Sequence, residues 1–124
     1  MNDDLSSVWE RYVQSWKVTS PTEKRSLFAT SLTPQCVYRD PLTLARGWDE
    51  LLRYMAGFHE QIPGGHFVTE QFFSHHGRSA ARWKMVSGAG LPLGEGISYA
   101  EYDEQQRLVA MTGFFETPGS QPAT

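Results

Sequence analysis

Cys36-Val37-Tyr38-Arg39-Asp40-Pro41 is the stretch around which the rest of this chain can be read. Its β-branched and aromatic residues favour an extended strand, and Pro41, with no backbone N–H for a ladder, stops it. One carboxylate, Asp40, is therefore left at a strand end. A helical segment and then four strand-like runs follow. An acid so placed points to a pocket with a general base on its wall.

Before that stretch, Leu5, Val8, Trp9, Tyr12, Val13 and Trp16 recur at helical spacing, with Asp3 and Asp4 available as N-cap and dipole partners. Ser20-Pro21-Thr22-Glu23 has the form of a capping box with proline at the first helical position. It opens a second helix that carries Leu27, Phe28 and Leu32 on its apolar face and ends at Thr33-Pro34. The strand is expected over Cys36 to Asp40. A third helix runs from Gly47 to about Gln61, with Trp48, Leu51, Leu52, Met55 and Phe58 on one side, until Ile62-Pro63-Gly64-Gly65 breaks it.

Beyond the break the period becomes two. The runs His66–Ser74, Arg78–Ser87, Gly94–Tyr102 and Leu108–Glu116 are joined by short, turn-rich links, which favours antiparallel hairpins. Gly88, Gly90, Gly94 and Gly96 gather where a sheet would bend. The predicted fold class is α+β: a curved, mostly antiparallel sheet wrapped around three N-terminal helices as a cone-shaped α+β barrel. Residues 1–116 form one domain, and Thr117 to Thr124 is expected to be a disordered tail.

A chain of 124 residues can bury a real core. Its net charge of −3 and lack of a basic block exclude nucleic-acid binding, and Lys24-Arg25 reads as a solvated helix face. No apolar run is long enough to span a bilayer, and the acidic N-terminus is not a signal core, so a cytoplasmic location is expected. The one cysteine, Cys36, cannot form an internal disulfide. Neither it nor His59, His66, His75 and His76 shows metal-ligand spacing, so no metal is expected. His59 ends a helix, where a cation complements the dipole. The aromatic share of 13% could line a cavity or fill a core and a dimer interface.

Asp40 admits two readings. In an apolar hollow, desolvation would make it a usable base near neutral pH. At a turn, it would cap backbone N–H groups next to Pro41. Strand alternation supplies the rest of a wall. If Asp40 faces in, so do Tyr38 and Cys36. If Ser98 faces in, so do Ala100 and Tyr102. Met111, Gly113 and Phe115 share one face, as do Ala81, Trp83 and Met85. From the third helix, Leu51, Met55 and Phe58 could close the hollow. Arg39 and Arg82 alternate to the opposite face. The result is an apolar cavity with very few polar groups, suited to a small apolar molecule.

The element order, with Glu10-Arg11-Tyr12-Val13, Tyr38-Arg39-Asp40-Pro41, Gly47 with Leu51-Leu52-Arg53-Tyr54, and the hairpin from Tyr99 to Glu116, resembles the nuclear transport factor 2-like superfamily. Its nearer relatives would be the SnoaL-like polyketide cyclases and the ketosteroid isomerases. The resemblance runs from about Leu5 to Glu116 and implies a homodimer packed through the outer face of the sheet. It places Asp40 at the position of the isomerases' general base and Tyr12 at that of an oxyanion donor. Ser98 stands where they carry a protonated Asp; a hydroxyl can donate, but it is a poorer acid.

These residues lead to the expectation of an isomerase- or cyclase-type enzyme that needs no cofactor and acts on an apolar carbonyl compound. Asp40 would be its base, with Tyr12 and Ser98 as donors. A dehydratase of this fold would instead use His with Asp, which draws attention to His59 and His66. The alternatives are a non-catalytic binding protein for a small apolar metabolite and a partner-binding module that uses the aromatic sheet face.

Overall fold

The computed structural model describes residues 4–116, so the expected tail over 117–124 and the capping role of Asp3 lie outside the described residues. Helix α1 (Leu5–Ser15) starts where Asp4 Oδ1 accepts from the Ser7 N–H at 2.8 Å. Helix α2 (Pro21–Ala29) starts at Ser20, whose hydroxyl accepts from the Glu23 N–H at 3.3 Å, with proline in the first turn. Both caps satisfy N–H groups that a helix cannot satisfy itself.

Helix α2 ends earlier than its periodicity suggests. The hydroxyls of Thr30 and Ser31 both bond back to the Leu27 carbonyl, at 3.1 and 2.7 Å, and such back-bonding competes with helix continuation. Leu32, expected on the helix, is instead the first residue of strand β1 (Leu32–Asp40). Pro34 is tolerated because it falls in the irregular gap between Leu32 and Val37.

A four-residue strand, β2 (Thr43–Arg46), pairs antiparallel with β1 across a turn at Pro41-Leu42, with Asp40 opposite Thr43. Helix α3 (Gly47–Gln61) follows directly. Gly47 makes this junction with φ at +79°, and a Cβ there would meet the Pro34 carbonyl at 3.3 Å. Strands β3 (His66–His75), β4 (Arg78–Val86), β5 (Pro92–Tyr102) and β6 (Leu108–Phe114) complete the chain.

The sheet order is β2-β1-β6-β5-β4-β3, antiparallel throughout except for the parallel β1–β6 pair. It has six strands rather than five. It is curved, with register shifts between Thr69 and Gln71, Met85 and Val86, and Glu101 and Tyr102. It does not close: β2 and β3 remain separate edges, so the expected barrel is an open, curved sheet. The helices cover its concave face around a core that includes Val8, Phe28, Leu32, Leu51, Leu108 and Met111.

Lys24 corrects the reading of α2 as a solvated face. Its side chain is only 3% exposed. Its ammonium donates to the carbonyls of Ser15 and Val18, both at 2.6 Å, and meets His59 Nε2 at 2.8 Å. Lys24 thus caps the C-terminal end of α1 and fastens it to α3. His59 is the acceptor in this contact rather than a dipole-compensating cation. Burial and the neighbouring Lys24 charge hold its pKa below the ordinary histidine value.

Burial also pushes the Lys24 ammonium down to about 8 from 10.5. Below pH 8 the folded and unfolded chains both carry the proton, and folding bears the full cost of burying a charge. Between about 8 and 10.5 the folded chain sheds a proton that the unfolded chain keeps, so stability rises with pH. Urea midpoints across that interval should therefore climb more steeply in the wild type than in Lys24→Met. Parallel slopes would show that the buried ammonium is not titrating there.

Candidate functional site

The curved sheet and the helices leave a cavity of about 850 Å³ between α1, α3 and the inner faces of β1, β3, β4 and β5. Trp16, immediately after α1, is part of its wall. Its ring lies 5.4 Å from Phe67, 5.6 Å from Phe58, 5.7 Å from Tyr38 and 6.0 Å from Tyr54, centroid to centroid. Three of these contacts are edge-on, the arrangement that ring quadrupoles favour. Across the cavity, the Trp83 ring packs against Gly96. A Cβ at that glycine would clash with the indole and with the Phe114 carbonyl, so no larger residue fits without displacing them. The Trp83 N–H then donates to Ser98 Oγ at 2.9 Å.

Asp40 is the cavity's internal charge. Its Oδ1 accepts from the N–H groups of Leu42 and Thr43, at 2.8 and 3.1 Å. Its Oδ2 accepts from the hydroxyls of Tyr38 and Tyr54, at 2.6 and 2.7 Å. The turn cap and the cavity acid are therefore the same residue, one oxygen in each role. Four donors point at the group, so its acceptor sites are all in use.

Burial first, and then the hydrogen bond to Asp40 and its charge, holds the Tyr54 phenol well above the ordinary tyrosine range. Burial likewise raises Tyr38, with Tyr12 and Asp40 adding to it. Burial raises Tyr12 too, against a hydrogen bond from Trp16. All three are neutral donors near neutral pH. Cys36, pushed up to about 11 by burial, is an inert core thiol.

Of the residues singled out in the sequence, Asp40, Tyr12, Tyr38, Phe58, Trp83, Met85 and Phe115 line the cavity. Ser98 does not: it sits behind Trp83 as the acceptor of the indole N–H. Met55, Ala100, Tyr102 and Met111 are buried in the core instead. Alternation placed the three strand residues on the inner face correctly, but that face is longer than the cavity, and the helices fill its far end. The Tyr102 hydroxyl is engaged with Ser79 Oγ at 2.8 Å, and burial raises its pKa to about 12.

Tyr54 was missed as a site residue, although it shares the α3 stripe with Leu51, Met55 and Phe58. Trp9, Trp16 and Phe67 also line the wall. None of the four histidines does. Among the described residues, no group of three or more His, Cys, Asp or Glu side chains is placed to hold a metal ion. Leu42, Arg53, Gln61, Leu93, Glu95 and Glu116 form the exposed mouth.

The family model of the SnoaL-like domain matches residues 9–112. The chain belongs to the SnoaL-like family, a small-molecule-binding fold. Among solved structures it is similar to a candidate SnoaL-like isomerase from Agrobacterium tumefaciens, with a TM-score of 0.82 and 18% identity over 90% of this chain and 97% of that one. A candidate SnoaL-like polyketide cyclase from a Jannaschia species gives 0.73 and 11% over 90% and 85%. A protein of ketosteroid isomerase-like fold from Catenulispora acidiphila, in complex with trimethylamine, gives 0.72 and 11% over 94% and 88%. At these identities the likeness establishes the fold. No curated protein matches the sequence significantly. No helix among the described residues is long and apolar enough to cross a membrane.

The geometry around Asp40 is open to a direct check. Replacing Asp40 with Asn removes the charge that raises Tyr38 and Tyr54, so both phenols should ionise at lower pH. An alkaline titration followed by tyrosinate absorbance should show the shift, with Tyr102, bonded to Ser79, unmoved. Superimposable curves would mean that the carboxylate does not hold the phenols.

Proposed function

We propose that the cavity binds one small, mostly apolar molecule and that the protein is an isomerase- or cyclase-type enzyme that moves a proton without a cofactor. The observation that carries this reading is a carboxylate set inside an otherwise aromatic cavity, flanked by neutral phenols. Family membership and the company of candidate isomerases and cyclases support it. The trimethylamine held by the Catenulispora protein is in keeping with a small-molecule role.

In this scheme Asp40 takes a proton from a carbon next to a carbonyl. Both of its oxygens are occupied, so one donor must first turn away. Tyr54 lies less deep than Tyr38, which makes it the donor that can leave. Its phenol would then face the substrate oxygen together with Tyr12, and both would stabilise the developing oxyanion. Ser98 is held by Trp83 and takes no part.

A second reading, non-catalytic binding, is favoured by the same four hydrogen bonds, because a fully engaged carboxylate makes a good scaffold. Asp40→Asn separates the two readings once mass spectrometry of copurifying material has supplied a ligand. The enzyme reading expects turnover to fall at least about a hundredfold while the ligand still binds. Unchanged turnover would remove Asp40 as the base, and no turnover even in the wild type leaves the binding reading.

We also propose a homodimer through the convex face of the sheet. Phe73, Ile97, Tyr99 and Phe114 are 64%, 49%, 39% and 59% exposed there, and Ile97 is paired with Phe114 across β5 and β6. Sedimentation should give a dimer for the wild type and a monomer for Ile97→Asp. A wild type that runs as a monomer ends this proposal.

A further inference from the structure

We infer that the ligand of this cavity carries a positive charge bearing no hydrogen-bond donors: a quaternary ammonium group seated beside Asp40. This rests on the cavity being a small-molecule site and not on any catalysis there.

The first ground is an uncompensated charge. Arg25 pairs with Asp49 and Lys84 with Glu70, both away from Asp40. Arg39 is exposed on the opposite face of β1, and Arg53 is exposed at the mouth. Away from bulk water a lone carboxylate attracts a cation more strongly than it would in solution. A cation gains an attraction that a neutral ligand lacks, and an anion is repelled.

The second ground is the spent hydrogen-bonding capacity of the same group. Leu42 and Thr43 occupy Oδ1, and Tyr38 and Tyr54 occupy Oδ2. A primary ammonium entering the cavity loses water around three N–H donors and finds these acceptor sites taken unless Tyr54 first turns away, a displacement that adds to its cost. A quaternary ammonium has no such donors to satisfy. It needs only the charge and a polarisable wall.

The wall is the third ground. Trp16, Tyr38, Tyr54, Phe58 and Trp83 all line the cavity. Rings at these positions can attract a cation within about 6 Å of their centroids.

Three probes of similar shape test the inference on the full chain by calorimetry and tryptophan emission. They are benzyltrimethylammonium, its neutral analogue neopentylbenzene, and benzylamine. The quaternary probe should bind at least about tenfold tighter than either of the others. Asp40→Asn should erase its advantage over neopentylbenzene. Tyr54→Phe, which frees an acceptor site on Oδ2 while keeping the charge, should selectively improve benzylamine.

If neopentylbenzene binds as tightly as the quaternary probe, the charge inference fails while the cavity stands as a ligand site. If benzylamine binds tightest in the wild type, the claim that the ligand's charge carries no donors fails. If no probe binds or alters tryptophan emission, both the inference and the small-molecule reading fall.

Discussion

The Asp40 carboxylate gathers hydrogen bonds from three parts of the fold. Its Oδ1 closes the turn between β1 and β2, while its Oδ2 reaches Tyr38 on β1 and Tyr54 on α3. The β2 strand runs straight into α3 at Gly47, so fixing the turn also fixes where the helix begins. The position of α3 in turn sets Phe58 and Tyr54 against Trp16. A single acid thus holds both the local hairpin and the α3 phenol that lines the cavity. Its alanine variant would lose the cap and both phenol anchors at once, whereas Asn keeps the shape and an acceptor oxygen.

The hollow persists because its rings are pinned by their polar edges. Trp9 donates to Thr69 Oγ1 at 3.2 Å and Trp83 to Ser98 Oγ at 2.9 Å. Trp48, outside the cavity, donates to the Thr33 carbonyl at 3.0 Å and ties α3 to β1. Trp16 is held by the edges of three neighbouring rings. A buried indole N–H left without a partner would cost about 1–3 kcal/mol, so each bond selects one ring orientation. Fixed rings cannot collapse into the space between them, and the sheet's curvature keeps that space from being filled by the strands.

Much of this was legible in the sequence, and the parts that were not share a cause. Both N-caps, the α3 boundaries and the sequence of hairpins follow from local signals, because a cap or a period depends on residues a few positions apart. The end of α2 was misjudged because Leu32 fits a helical stripe as well as a strand, and only the hydroxyl bonds of Thr30 and Ser31 decide between them. Strand β2 is four residues long, too short to show a period, and it exists because Asp40 shapes the turn before it. Lys24 looked like surface because nothing local announces that the carbonyls of Ser15 and Val18 converge on it. For the site, alternation identified the correct face of each strand. It could not say where along that face the helices stop, which is why Met111 and Ala100 are core while Met85 and Phe115 line the cavity.

Ser98 shows how such a site can keep its shape while changing its chemistry. A side chain here faces Trp83 across the paired strands, since Ala81 is its partner on β4 and Gly96 lies two residues before it under the indole. The hydroxyl is committed to the Trp83 N–H, and a group that locks the wall in this way is not free to donate to a ligand. Gly113 lies between Ser98 and Asp40, where an added Cβ would come 3.8 Å from Ser98 Oγ and 3.6 Å from Asp40 Cβ. The two polar groups therefore flank one small residue, yet each faces its own aromatic partners. Polarity in this cavity is concentrated at the Asp40 end, and the Ser98 end is effectively apolar. A ligand of the proposed kind would then sit unsymmetrically, with its polar part towards β1 and α3 and its hydrocarbon against Trp83.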